Sequence, residues 1–237
     1  MNPLRRFFLL VLLAAASIHP LFAQWVQTNG PYGGEVLSLA VSGTNLFAGT
    51  SRDGVFRSSD SGANWTRADS GLTNTDVHAF AVMGTNLLAG TGDGIFLSTD
   101  NGISWTEVDS GLTDTYVTSF AVMGTNLFAG TGDGVFLSTD NGISWTAVNT
   151  GLKNTWVTAL AVSGANLFAG IFTDSLIDVF LSSDNGASWT ALNTPLGDGN
   201  SYVTAFAVID TNLFAATWGA FYSGTIGVLL STDNGTS

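Results

Sequence analysis

Cysteine is absent from all 237 residues, so disulfides, thiolate metal sites and a lipid-modified cysteine behind a leader are all excluded. Histidine occurs only as His19 and His78, too few to build a histidine-rich metal centre or to favour a serine triad. Basic residues are scarce as well, six against 18 Asp and Glu. Two of the six, Arg5 and Arg6, stand at the extreme N-terminus, and without them Arg52, Arg57, Arg67 and Lys153 face 18 carboxylates, a net charge of −14. Such a surface repels phosphate backbones and anionic membranes, so nucleic acid is not an expected partner. The longest apolar run, Phe7 to Ala16, falls well short of the ~20 residues that cross a bilayer.

That run does have the form of an export signal. Arg5 and Arg6 precede it, and Leu21-Phe22-Ala23 follows as a cleavage site with a small residue at its end. Residues 1–23 are therefore expected to be a signal peptide, and residues 24–237 a soluble product in a bacterial periplasm, at the cell surface or outside it, with no membrane insertion after cleavage. With 29 glycines, 11% aromatics and 10% charged residues, the composition suits short strands joined by tight turns. A single domain of this size buries roughly 70–75% of the surface its unfolded chain exposes and needs no metal to fold.

The chain is organised around Ser138-Thr139-Asp140-Asn141-Gly142-Ile143-Ser144-Trp145. Further copies run from Ser58 to Trp65, Ser98 to Trp105 and Ser182 to Trp189, and an interrupted one from Ser231 to Ser237. Val77 to Tyr116 laid over Val117 to Trp156 matches without a gap at 30 of 40 positions, and a period near 40 is that of a propeller blade. Each unit reads as four strands, in the third case Val117 to Met123, Leu127 to Thr131, Val135 to Thr139 and Ser144 to Asn149, with Gly, Asn and Asp at the turns. The strands are apolar on both faces, as radially stacked small sheets require, and the first strands carry small residues such as Ala79, Ala81, Ala159 and Ala161 for a crowded inner wall. The expected fold is all-β, a β-propeller with units beginning near residues 36, 77, 117, 157 and 203. Gln24 to Asn29 aligns with the fourth strand Ser144 to Asn149, so its pairing with the last unit would close a five-bladed ring; the alternative is that the copy interrupted at Ser237 belongs to a longer protein with further blades.

The octapeptide resembles the Asp-box, or BNR repeat, of sialidase-like β-propellers. The resemblance implies that Asp60, Asp100, Asp140, Asp184 and Asp233, with Trp65, Trp105, Trp145 and Trp189, staple the blades away from any active site. Local chemistry agrees: Asp140 can accept N–H bonds across its own turn, Gly142 supplies a conformation that a Cβ penalises, and Trp145 can bury itself against a neighbouring sheet. Sialidases clamp their substrate with an arginine triad, whereas Arg52, Arg57 and Arg67 all lie in the first unit, and the Arg-Ile-Pro signature is missing. Other Asp-box propellers are xyloglucan-cleaving glycosidases that use paired carboxylic acids, a role for which Asp76 with Asp114, or Glu35 with Asp76, are the candidates. Sensor and assembly-factor propellers that bind proteins form a third group.

Adjacent units differ most where the fourth strand leads into the next blade. The residues that begin the first strands are Glu35, Asp76, Tyr116, Trp156 and Tyr202, which on a propeller would ring the mouth of the central channel. Aromatic rings beside carboxylates suit stacking on a sugar face with polar groups to orient its hydroxyls. Loop expansions at Thr173 to Asp178, Pro195 to Ser201 and Trp218 to Gly227 fall on that same face. The sequence thus points to an exported binding or interaction propeller without catalytic residue, metal or cofactor, with a polysaccharide or an exported protein as partner. A glycoside hydrolase other than a typical sialidase, and a protein-binding sensor or assembly factor, are the alternatives.

Overall fold

The computed structural model describes residues 26–152, 155–172, 178–192, 201–219 and 227–233, and all of their regular structure is β. Blade 1 is the meander β1 (Val36–Ser42), β2 (Asn45–Thr50), β3 (Val55–Ser58) and β4 (Thr66–Arg67). Blade 2 comprises β5 (Val77–Met83), β6 (Asn86–Thr91), β7 (Gly94–Ser98) and β8 (Thr106–Glu107). Blade 3 follows as β9 (Val117–Met123), β10 (Asn126–Thr131), β11 (Gly134–Ser138) and β12 (Thr146–Ala147). Blade 4 repeats it with β13 (Val157–Ser163), β14 (Asn166–Ile171), β15 (Asp178–Ser182) and β16 (Thr190–Ala191). In blade 5 the described strands are β17 (Ser201–Ile209), β18 (Asn212–Gly219) and β19 (Gly227–Ser231). The protein is a β-propeller of five antiparallel blades.

Register repeats from blade to blade because the sequence does. Phe128 stands opposite Ala121 on one side and Leu137 on the other. The first hairpins close on two residues, the leading one a glycine at φ +59 to +62 (Gly43, Gly84, Gly124, Gly164), as a type II′ turn demands. In blade 5 the same place is held by Asp210 at φ +55.

The core lies in the joints between blades. Phe47 and Val55 of blade 1 pack on Val77, Leu87, Phe96 and Trp105 of blade 2, and equivalent clusters join each later pair. The first strands line up side by side in the order β1, β5, β9, β13, β17. Their neighbours approach so closely that a Cβ on Gly90 would stand 2.5 Å from Val117 Cγ1, and one on Gly130 2.6 Å from Val157 Cγ1. Ala79, Ala81 and Ala159 are buried on this inner wall as expected, while Ala161 is half-buried.

The Asp-box turns rivet the outer rim. In blade 3 the Ser138 hydroxyl donates to Asp140 Oδ1 (2.7 Å) and accepts from the Gly142 N–H (2.8 Å). Asp140 Oδ1 also accepts the Ser144 N–H (3.0 Å), and Oδ2 the Ser144 hydroxyl (2.6 Å). Gly142 has φ +89, and a Cβ there would meet Leu88 of the preceding blade at 2.3 Å. Trp105, Trp145 and Trp189 are buried, and their indole N–H groups donate across the joint to the carbonyls of Ala68, Val108 and Val148.

Several boundaries differ from expectation. The fourth strand of blade 3 is the two residues Thr146–Ala147 rather than Ser144 to Asn149. Ser144 is captured by Asp140, and beyond Ala147 a side chain takes over the ladder: Val148 still donates to the Val135 carbonyl (2.9 Å), but the Val135 N–H goes to Asn149 Oδ1 (2.7 Å). Of the expected N-terminal pairing, Gln24 and Trp25 lie outside the described residues. Residues 26–29 lie against blade 1, where the Asn29 N–H donates to the Ala63 carbonyl (3.2 Å) and its side chain to Asn64 Oδ1 (2.9 Å). The three loop expansions, except for their ends, and Lys153 with Asn154 also lie outside the described residues.

Candidate functional site

Two residues of each blade meet at the end of the inner hairpin that faces away from the Asp-boxes. One begins the first strand and the other follows the second, and backbone bonds tie them: Ser51 N–H to the Glu35 carbonyl (2.9 Å), Gly92 to Asp76 (3.0 Å) and Phe172 to Trp156 (2.9 Å). In blade 5 Tyr202 pairs directly with Trp218. The sequence-predicted ring residues therefore occupy equivalent places at one mouth of the propeller.

The structure joins three of the five predicted ring residues into an aromatic arc and adds three more rings. His78 lies against Tyr116 with ring centres 4.8 Å apart, and Tyr116 meets the edge of Trp156 at 6.4 Å. Trp156 continues to Phe172 at 6.0 Å, Phe172 to Tyr202 at 5.5 Å and Tyr202 to Trp218 at 5.5 Å. The interplanar angles run from 46° to 78°, the tilted and edge-on geometry that the aromatic quadrupole prefers. Trp156 remains 50% exposed and Trp218 52%, so the arc is open to a ligand. Between blades 4 and 5 it encloses a cleft of about 190 Å³ lined by Trp156, Thr158, Phe172 and Tyr202. That volume is below the usual ~300–1,000 Å³ of a whole small-molecule pocket and fits one ring of a larger ligand.

Phe172 and Trp218 escape a search of first-strand positions because Phe172 follows the second strand of blade 4 and Trp218 lies near the end of that of blade 5. Their signal was nonetheless in the repeat: the sibling blades have Gly92 and Gly132 at that place, which leaves the arc dense over blades 4 and 5 and sparse over blades 2 and 3.

The acidic candidates lie toward the other end. Glu35 is exposed, and its backbone N–H donates to the Ser51 hydroxyl (3.1 Å). Asp76 Oδ2 stands 3.5 Å from His78 Nε2, while Asp76 Oδ1 and His78 Nε2 have no hydrogen-bond partner among the described residues. Burial, and then the negative charge of Asp76, push the Tyr116 phenol above its ordinary pKa. Asp114 is occupied locally, its Oδ1 accepting the Tyr116 N–H at 2.8 Å as in an Asx-turn. Asp133 receives the Thr113 hydroxyl and so ties the turn between its second and third strands to the loop entering its own blade, while Asp93 receives that of Thr115 (3.1 Å) and ties the same turn of blade 2 to the loop entering blade 3. The turn itself is closed by threonine, with Thr91 Oγ1 donating to the Gly94 carbonyl.

The Asp-box carboxylates sit on the opposite face. Asp60, Asp100, Asp140 and Asp184 are held down to a pKa of about 2, in the last three chiefly by the serine hydroxyl and N–H four residues on, and in Asp60 by the backbone and side chain of Asn64. Asp233 accepts the Ser231 hydroxyl at 2.6 Å. No group of three or more His, Cys, Asp or Glu side chains assembles a metal site among the described residues.

The BNR/Asp-box repeat family matches residues 96–107 and 136–147, the third strands and Asp-boxes of blades 2 and 3. With the blades described above, this makes the chain an Asp-box β-propeller. No curated protein sequence matches it. Among solved structures it is similar to the GH74 xyloglucanase from Xanthomonas campestris, at 17% identity and a TM-score of 0.65, over 86% of this chain and 37% of that one. It is similar to the extracellular domain of BT4673 from B. thetaiotaomicron, at 17% identity and TM-score 0.66, over 81% of this chain and 27% of that. It is also similar to YCF48 bound to D1 peptide, at 15% identity and TM-score 0.64, over 88% and 69%. The chain thus spans about a third of the length of the first two, and the shared property is the fold.

Proposed function

We propose that the protein is an exported binding module that recognises carbohydrate on the face carrying the aromatic arc. The observation that supports this reading is the unbroken series His78, Tyr116, Trp156, Phe172, Tyr202 and Trp218, which presents flat apolar surface across four blades. Sugar rings offer one apolar face for stacking and hydroxyls for the flanking polar groups, which here are Asp76, Thr158 and Glu35. The segment at residues 1–23 supplies export, in keeping with the polysaccharide-degrading and extracellular neighbours of the fold.

Calorimetric titration with soluble plant and bacterial polysaccharides, xyloglucan included, tests the reading. Trp156→Ala is expected to weaken the best ligand by about tenfold, corresponding to the loss of ~1.4 kcal/mol of stacking. Binding that is indifferent to Trp156→Ala and Tyr202→Ala would exclude the arc as its seat. Recognition of a protein segment is the second reading, favoured by the 69% span over a propeller solved with a peptide bound.

A further inference from the structure

The repeat is broken twice at the joint between blades 1 and 2, on the Asp-box face and so away from the arc. Where the first hairpin of blade 1 turns, Ser42 stands in the place that Met83 holds in blade 2 and Met123 in blade 3. Those methionines pack against the cores of the two joints that follow, which the short serine side chain cannot do. On the third strand of blade 1, Arg57 stands in the place of Leu97, Leu137 and Leu181. It reaches across the joint, its guanidinium donating to the Asn101 carbonyl at 3.2 Å.

A cleft of about 350 Å³ opens at this joint, lined by the hairpin turns at Ser42-Gly43 and Gly84-Thr85 and by Thr99 to Asn101 of the blade 2 Asp-box. It is larger than the 190 Å³ cleft beside Trp156 and lies within the usual ~300–1,000 Å³ of a small-molecule pocket. Ser42 is its most buried residue, at 5% exposed, while Thr85, Thr99 and both glycines are open to solvent. Every lining side chain ends in a hydroxyl, an amide or a carboxylate, and none is aliphatic or aromatic. At the next joint the same set recurs as Gly84, Gly124, Thr125 and Thr139 to Asn141, with Met83 for Ser42 as the one difference. Serine returns at the joint of blades 4 and 5 as Ser163, but there Asp210 replaces the second hairpin glycine.

We propose that this cleft is a second binding site, on the face opposite the arc, for a single uncharged sugar unit. Asp100 is the one charged residue of its lining. The carboxylate already accepts the hydroxyls of Ser98 and Ser104 and the N–H groups of Ile103 and Ser104, so an ammonium finds few acceptor positions left on it. Its negative charge repels a uronate or a phosphate. Oδ2 has a single donor, which leaves a position for one ligand hydroxyl, and Ser42, Thr85, Thr99 and Asn101 offer the neutral donors and acceptors that the other hydroxyls of a sugar require. Arg57 is a positioning residue, holding the backbone of Asn101 where it forms one wall. The cleft owes nothing to the arc for its ligand, and with both faces occupied the propeller would hold two saccharide chains, or two parts of one, at once.

Saturation-transfer NMR with methyl β-glucoside, methyl β-galactoside and N-acetylglucosamine, together with the amide shifts of the isotope-labelled chain, tests this. In the Trp156→Ala, Trp218→Ala double variant, which removes the exposed rings of the arc, at least one of these sugars is expected still to bind and to move the Thr85 and Thr99 amide signals. Ser42→Met, which installs the side chain of the sibling blades, should weaken that binding about tenfold or more, the loss of at least one hydrogen bond and of the space. Thr85→Val with Thr99→Val, which keeps the shape and removes two hydroxyls, should do the same and decides the matter if Ser42→Met does not fold. Polysaccharide binding at the arc should be unchanged in Ser42→Met, so the two faces are read separately. An arc double variant that binds none of the three sugars, a bound sugar that leaves Thr85 and Thr99 unmoved, or binding indifferent to Ser42→Met in a variant that melts as the wild type does would overturn the proposal.

Discussion

Asp140 is kept ionised by donors from within its own turn: the hydroxyls of Ser138 and Ser144 and the N–H groups of Ile143 and Ser144. All of them stabilise the carboxylate and leave the acid with fewer partners, which is why Asp100, Asp140 and Asp184 fall from 3.8 to about 2. A carboxyl with a depressed folded-state pKa contributes stability that is present above its unfolded value and lost as pH falls through the folded one. Thermal stability of the wild type should therefore decline between about pH 4 and pH 2, and the Asp100→Asn, Asp140→Asn double variant should show a shallower decline when melting temperature is followed against pH. Because these carboxylates face solvent, each contributes modestly. Their hydrogen bonds were legible in the sequence because every partner lies within four residues. Phe172 was harder to read, since its neighbours Trp156 and Tyr202 come from distant stretches and the one local sign was an aromatic residue where Gly92 and Gly132 stand in sibling blades.

The strands were legible as elements because turn glycines and apolar runs recur with the same spacing. The outer strands were overestimated, as a ladder continued by the Asn149 side chain looks the same in sequence as one continued by the backbone. Glycine has two distinct uses here. Gly130 has an ordinary β conformation but touches Val157, so Gly130→Ala should destabilise by about 1–3 kcal/mol through overpacking, measurable by urea unfolding. At the first hairpin of blade 5 the requirement is conformational instead. Asp210 adopts the left-handed φ that glycine holds in the other blades, and Asp210→Gly should raise stability by roughly 0.5–1 kcal/mol in the same assay.

At the scale of the molecule, the period of 40 residues predicted blades, and their stacking places the variable residues on one face and the Asp-boxes on the other. Sequence alone placed carboxylates, Glu35 and Asp76, at the first two ring positions and did not reveal that His78 carries the arc into blade 2. Glu35 carries no ring, so the aromatic surface runs from blade 2 to blade 5 and is densest around the cleft beside Trp156. A surface of this form should read the length of a linear ligand, since additional sugar units find additional rings. Tryptophan fluorescence titrated with a graded series of oligosaccharides from the best-binding polysaccharide is the most direct measurement. The account predicts affinity that climbs with chain length in the wild type and levels off at a shorter length in the Trp156→Ala, Trp218→Ala double variant. Affinity independent of length, or a double variant that follows the wild-type curve, would contradict it.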